Sequence, residues 1–254
     1  MRKPLMIITT VLLAAAFLGG CQNPTDSAAN DDPTNKSGQP IPSIDYSGDQ
    51  EFGGLMATIS FEFQTVPNFP AVQFAMGYAF FGEGQNAGDV YINQQPLSAE
   101  SSSGSTWYTS FSQTSPSNLS GVYFNGSQHK WDIGGSDKVP AFSLSVTSPR
   151  SFNITSPTGG TVDISDGLAI YWSGSTGGDS ILVNLVDLDN SKTFTKSGIR
   201  FNDGKVKINK ADISGFKGEA LLQVVRYNHA LHTTDDKYYV AVAEIVKQMT
   251  ISIP

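Results

Sequence analysis

Cysteine is almost missing from this chain: Cys21 stands alone among 254 residues. No disulfide can form within the chain, and zinc held by several thiolates is excluded with it. Basic residues are scarce as well, 16 Lys and Arg against 23 Asp and Glu, which leaves a formal charge of −7. A surface with so few cations displaces counterions from a polyanion poorly, so nucleic acid is disfavoured as a partner. No apolar run reaches the ~20 residues of a spanning helix, and the longest, Leu5 to Leu18, holds about 14. There is no G-x-S-x-G, and the three histidines, His129, His229 and His232, fall in no triad signature. The Ala, Leu, Glu and Lys richness of a helical bundle is lacking too, while Ser, Thr, Gly, Val and aromatics abound. The composition points to an all-β chain.

What is present begins with an address. Met1-Arg2-Lys3 is a positive segment, Leu5 to Leu18 an apolar one, and Leu18-Gly19-Gly20-Cys21 closes the pair. This last tetrad resembles the lipobox of bacterial lipoproteins, in which the cysteine is acylated and becomes the first mature residue. The resemblance implies a signal peptide at 1–20, lipidation of Cys21 and attachment to a membrane through lipid. Several acyl chains on one residue hold stably where a single chain does not. Gln22 after Cys21 lacks the Asp that retains lipoproteins at the inner membrane of well-known Gram-negative bacteria, so the outer membrane is the expected address. Residues 21–50 are rich in Asn, Asp, Ser, Pro and Gly and bury too little to offset their ordering entropy, which predicts a flexible tether. Within it, Asp26-Ser27-Ala28 resembles the short acceptor motif for O-glycans in Bacteroidota.

From Leu55 onward, short alternating runs are punctuated by turn residues. Ile59, Phe61 and Phe63 alternate with polar neighbours, and Val72, Phe74, Met76, Tyr78 and Phe80 form a longer stripe of period two. Further strands are predicted at 89–93, 106–111, 121–124, 129–133 and 141–146. About seven strands in a hundred residues is the count of a sandwich or barrel. A second unit opens near Ser151 with Leu168-Ala169-Ile170-Tyr171-Trp172, a buried run at 181–186, and two long closing strands at 220–227 and 238–253. Asn202-Asp203-Gly204, between Ile199-Arg200-Phe201 and Val206-Lys207-Ile208, reads as a hairpin turn. The expected architecture is two tandem β-sandwich domains, 51–150 and 151–254, after the signal peptide and tether.

The second unit resembles immunoglobulin-like domains of the fibronectin type III kind. The likeness lies in its opening with Pro157, Gly159 and Gly160, its L-x-I-x-W strand and its two long closing strands. It lacks the Tyr that this family usually places at the start of the penultimate strand, since Gly218-Glu219-Ala220-Leu221 has none. The whole layout is similar to bacterial surface lipoproteins, a resemblance that implies no particular activity.

Charge divides unevenly. Residues 21–150 hold 12 acids and 4 bases, a balance of −8, and residues 151–254 hold 11 acids and 10 bases, a balance of −1. The bases of the second unit gather at Lys192, Lys196, Arg200, Lys205, Lys207, Lys210 and Lys217, as lysines guarding sheet edges do. Neighbours on a strand point to opposite faces, so one residue each of Trp107-Tyr108 and of His129-Lys130-Trp131 should face outward. Trp107, Tyr108 and Trp131 are therefore the candidate ligand-binding residues, as stacking platforms for a sugar ring. His229 and His232, placed in a predicted loop with Asp235-Asp236, and Asp187 and Asp189 at a strand end, are the weaker metal candidates.

No cofactor is implied. The sequence reads as a non-catalytic envelope lipoprotein that binds or builds, with a glycan or an envelope protein as the candidate partner. The competing reading is a carbohydrate-active enzyme or its substrate-binding accessory, for which Glu83, Asp89 and Glu100 are the carboxylates at hand.

Overall fold

The computed structural model describes residues 39–42, 44, 46–63, 72–112, 115–116, 119–189 and 192–254. Cys21, the signal peptide, Asp26-Ser27-Ala28 and most of the tether lie outside the described residues.

The chain is all-β. Before Ser151 come β1 (Glu51–Phe63), β2 (Val72–Phe81), β3 (Val90–Ile92), β4 (Gln95–Pro96), β5 (Ser98–Ser102), β6 (Ser105–Thr109), β7 (Phe111–Ser112), β8 (Ser115–Pro116), β9 (Gln128–Ile133) and β10 (Phe142–Thr147). After it come β11 (Phe152–Ser156), β12 (Gly160–Thr161), β13 (Leu168–Gly174), β14 (Ser180–Asp187), β15 (Thr193–Arg200), β16 (Lys205–Ile208), one helical turn α1 (Lys210–Ile213), β17 (Gly218–Thr234) and β18 (Lys237–Ile253).

In the second unit β11, β13 and β16 form one sheet, and β15, β14, β17 and β18 lie in that order in the other. Leaving aside the short β12, the first, second and fifth strands oppose the fourth, third, sixth and seventh. This is the order of an immunoglobulin-like sandwich of the fibronectin type III kind. Its pleat explains the L-x-I-x-W pattern: Leu168, Ile170 and Trp172 point inward while Ala169 and Tyr171 stay exposed. The buried Trp172 indole donates from Nε1 to the Phe201 carbonyl at 2.7 Å, so its polar edge is satisfied. Asn202-Asp203-Gly204 does make a turn, with Gly204 at φ 67°. It does not make a hairpin: β15 and β16 belong to different sheets, and the turn carries the chain from one layer to the other.

In the first unit the sheet β10-β9-β3-β4 covers β1, β2 and β6. The two units are not separate beads. One nine-stranded sheet runs β15-β14-β17-β18-β1-β2-β6-β5, with β12 attached to β18, so the boundary near Ser151 divides the chain but not the sheet. The join is made by β1, which lies parallel to β18 from Glu51↔Lys237 to Glu62↔Lys247. It is possible because β17 and β18 have 17 residues each, a span of about 56 Å at ~3.3 Å per residue, enough to serve both sandwiches. The segment from His229 to Thr234, expected as a loop, is the outer third of β17. Its hairpin reverses at Asp235-Asp236, which hold φ of 50° and 55°, a conformation that Asp tolerates better than most side chains.

The pleat gives this sheet two apolar faces. On the inner face one continuous core joins both units, from Met56, Phe81 and Trp131 to Trp172, Leu222 and Ile251. On the opposite face a second cluster gathers Leu55, Ile59, Tyr78, Phe80, Leu182, Val225 and Val242, with Ile41 packed against them.

Candidate functional site

Where the two sandwiches meet, the inner face carries a buried ion pair. Arg226 projects from β17 at the junction, 1% exposed, because alternation from Leu222 and Val224 turns it inward. Its Nε donates to Asp179 Oδ2 at 2.7 Å, and its Nη2 donates both to Asp179 and to the Ser175 carbonyl, the latter at 2.8 Å. Nη1 donates to the Arg150 carbonyl at 2.9 Å, and the guanidinium plane lies 3.6 Å from the centre of the Phe201 ring. Arg226 therefore ties β17, the crossing between units and the 175–179 loop together. Asn228 donates from Nδ2 to the other Asp179 oxygen and to the Thr147 carbonyl. Gly177 is required beside this cluster, since a Cβ there would stand 2.8 Å from Asp179 Oδ2.

Above this floor opens a cleft of about 540 Å³, walled by the first unit through Gly126, Ser145, Thr147, Ser148 and Arg150 and by the second through Thr176–Asp179 and Asn228–Ala230. Clefts between domains are favoured places for ligands because two rigid walls present polar groups at fixed spacing. Desolvation holds the His229 imidazole below its usual pKa, so it is neutral at pH 7. Ser148 donates from Oγ to the Tyr123 carbonyl at 3.0 Å, which pins the 119–127 loop to the cleft wall. The Tyr123 ring itself is 64% exposed.

The aromatic residues chosen from sequence are placed differently. Trp131 is fully buried and Tyr108 is 1% exposed, so neither offers a ring face to a ligand. In His129-Lys130-Trp131 the outward residue is Lys130, because the sheet of β9 is covered by β1 and β2 on the face that Trp131 shares. Trp107 is half-buried against the opposite-face cluster. The Tyr108 hydroxyl accepts from the Ala87 N–H at 2.7 Å, and burial raises its pKa. His129 is a core residue: Thr58 Oγ1 donates to its Nδ1 at 2.7 Å, and its Nε2 donates to the Tyr123 carbonyl at 3.0 Å. Burial pushes its pKa down and keeps it neutral. The strand expected at 121–124 is instead a loop, in which Val122 and Phe124 are buried and Tyr123 between them is exposed, and a tyrosine in an alternating run gave no sign of which face is open.

The metal candidates do not converge. On one strand His229 and His232 point to opposite faces of the sheet, and His232 stacks on Phe142 at 4.9 Å. Asp187 is 1% exposed and accepts from the Asp189 N–H at 3.0 Å, an Asx turn at the end of β14. Among the described residues no group of three or more His, Cys, Asp or Glu is placed to hold a metal ion. Of the loop carboxylates, Glu83 lines a separate hollow of about 650 Å³, Asp89 lies in the turn before β3, and Glu100 lies on β5. The basic residues Lys196 and Arg200 on β15, and Lys205 and Lys207 on β16, are all exposed on strands that end their sheets.

No family profile and no curated protein matches the chain. Among solved structures it is similar to the FN1–FN3 domains of chicken CNTN1, at 8% identity and a TM-score of 0.24, over 70% of this chain. The chain spans 62% of the length of that structure. Strand order, not this likeness, makes the second sandwich immunoglobulin-like.

Proposed function

We propose that this protein is a non-catalytic cell-envelope lipoprotein, held at the outer membrane by lipid on Cys21, that binds a glycan in the cleft between its two sandwiches. The observation that carries this reading is the state of Asp179. It is the buried carboxylate of the cleft, and both its oxygens are engaged, one by Arg226 and one by Asn228. A carboxylate so engaged sets geometry instead of moving protons. What the cleft offers a ligand is the hydroxyls of Ser145 and Thr147 and the Arg150 guanidinium, while the His229 imidazole turns to the other face of β17. Hydroxyls and a guanidinium pair with sugar hydroxyls, and Tyr123, exposed and tied by its carbonyl to Ser148 of the cleft wall, is the aromatic ring we assign as the stacking surface.

A glycan array with the full chain tests the reading, followed by calorimetric titration of the best ligand. Arg150→Ala and Tyr123→Ala should each weaken binding by about tenfold, while Trp107→Ala leaves it unchanged. Binding that survives both cleft substitutions would place the ligand elsewhere. Independently, Cys21→Ser should abolish lipid labelling and release the protein from the membrane fraction.

A further inference from the structure

The nine-stranded sheet has two ends, and they are built differently. At one end β15 carries Lys196 and Arg200, and Gly198 sits at φ 71° beside a register shift in its pairing with β14. Charge and irregularity of this kind prevent another strand from adding to an edge. At the other end β5, Ser-Ala-Glu-Ser-Ser over 98–102, has no lysine, no proline and no bulge. All five of its residues are exposed, and it pairs with β6 in unbroken register from Ser98↔Thr109 to Ser102↔Ser105.

Which backbone groups of β5 face outward follows from its partner. The Thr106 N–H donates to the Gly84 carbonyl at 2.9 Å, away from β5, so Ser101↔Thr106 is a non-hydrogen-bonded pair of the β5–β6 ladder. The N–H and C=O groups of Ser101, and by the period of two those of Ala99, therefore point away from the sheet. Glu100 lies between them, its backbone turned toward β6. Its side chain shares the opposite face with Trp107 and Phe80, its neighbours across the sheet.

We infer that β5 is a strand-addition site for an extended peptide bearing a Lys or Arg, seated antiparallel with that base opposite Glu100. An added strand would bond the outward groups of Ala99 and Ser101, and the residue opposite Glu100 would occupy a non-hydrogen-bonded position, where cross-strand side chains approach most closely. A basic side chain there is favoured, and the −8 balance of residues 21–150 favours it further. A second copy of this chain does not fit. The antiparallel register that pairs all five β5 residues with another β5 sets Glu100 directly against Glu100, which is repulsive.

The test uses the isotopically labelled full chain in detergent and the peptide acetyl-Thr-Val-Thr-Lys-Thr-Val-Thr-amide, with the same peptide carrying Glu for Lys as control. The Lys peptide is expected to shift amide signals of β5 and β6 and to slow hydrogen exchange at Ala99 and Ser101. Ala99→Pro removes an outward N–H without touching a β5–β6 bond and should weaken binding by about tenfold or more. Glu100→Lys should reverse the preference, taking the Glu peptide over the Lys peptide. Thermal melts of both variants confirm that they fold. The inference is overturned if the Lys peptide does not bind, if it shifts signals away from β5 and β6, if both peptides bind equally, or if the chain dimerises through β5.

Discussion

Arg226 and Glu244 occupy neighbouring rungs of the β17–β18 ladder, where Arg226 pairs with Ile245 and Tyr227 with Glu244. Both are buried, and their charges are opposite. They cannot meet, because adjacent rungs project to opposite faces. Arg226 enters the inner face and finds a carboxylate, two carbonyls and a ring. Glu244 enters the opposite face among Ile59, Val242 and Val246, and neither of its carboxyl oxygens has a hydrogen-bond partner among the described residues. One site meets the cost of burying a charge with bonds, the other by losing the charge: complete burial raises the Glu244 pKa well above the ordinary carboxylate value. The comparison shows that an ionisable residue in a strand interior tells nothing of its role until the contents of its face are known.

The comparison breaks most sharply at Arg226. Arg226→Ala leaves Asp179 buried beside an empty space and should cost about 3–5 kcal/mol in urea unfolding, whereas Arg226→Met combined with Asp179→Leu should recover much of that loss. A single substitution that costs less than 1 kcal/mol would mean that Asp179 is relieved by water.

Glu244→Leu acts in the other direction. With its folded pKa raised, Glu244 favours the fold fully below the unfolded carboxyl pKa and loses that contribution as pH rises toward the folded value. The advantage of the variant over wild type should therefore be smallest near pH 4 and grow by about 1.4 kcal/mol per pH unit above that until the folded pKa is reached. Parallel stability curves would show that Glu244 is solvated.

His129 sharpens the contrast from the acid side. Its pKa is lowered by burial, so its contribution is present above the unfolded histidine value and is lost as pH falls below about 6.5. His129→Gln should flatten the fall in melting temperature between pH 7 and 5. The residual slope belongs in part to His229, whose pKa is also lowered. The smallest effect is expected at the edge. Ala99→Pro, with its N–H already facing away from the ladder, should shift stability by less than about 0.5 kcal/mol.

Much of the strand pattern was legible because alternation is a local property. Leu168, Ile170 and Trp172 read as inward from the chain alone, and they are. Trp131 read as a candidate platform because alternation says that a residue shares a face with its second neighbours but not which face is covered. His229 and His232 read as a loop because Asp235-Asp236 contains no glycine to mark the turn, so the strand preceding it had no visible end. The bonds of Asp179 join it to Arg226 and Asn228, 47 and 49 residues away in the chain. No spacing rule reaches that far.

The sequence by itself determined the β class, the exclusion of disulfides within the chain and of metal sites built from several thiolates, and the alternation of each long strand, because these depend on composition and on a period of two. The tertiary structure decided that β1 joins β18, so that one sheet passes through both sandwiches, and that a cleft with an ion-paired floor lies at the join. It also decided that Arg226 and Glu244 have different fates. Pairing between strands and the covering of a face are long-range choices, made by whichever segments bury the most apolar surface together, and no local pattern records them.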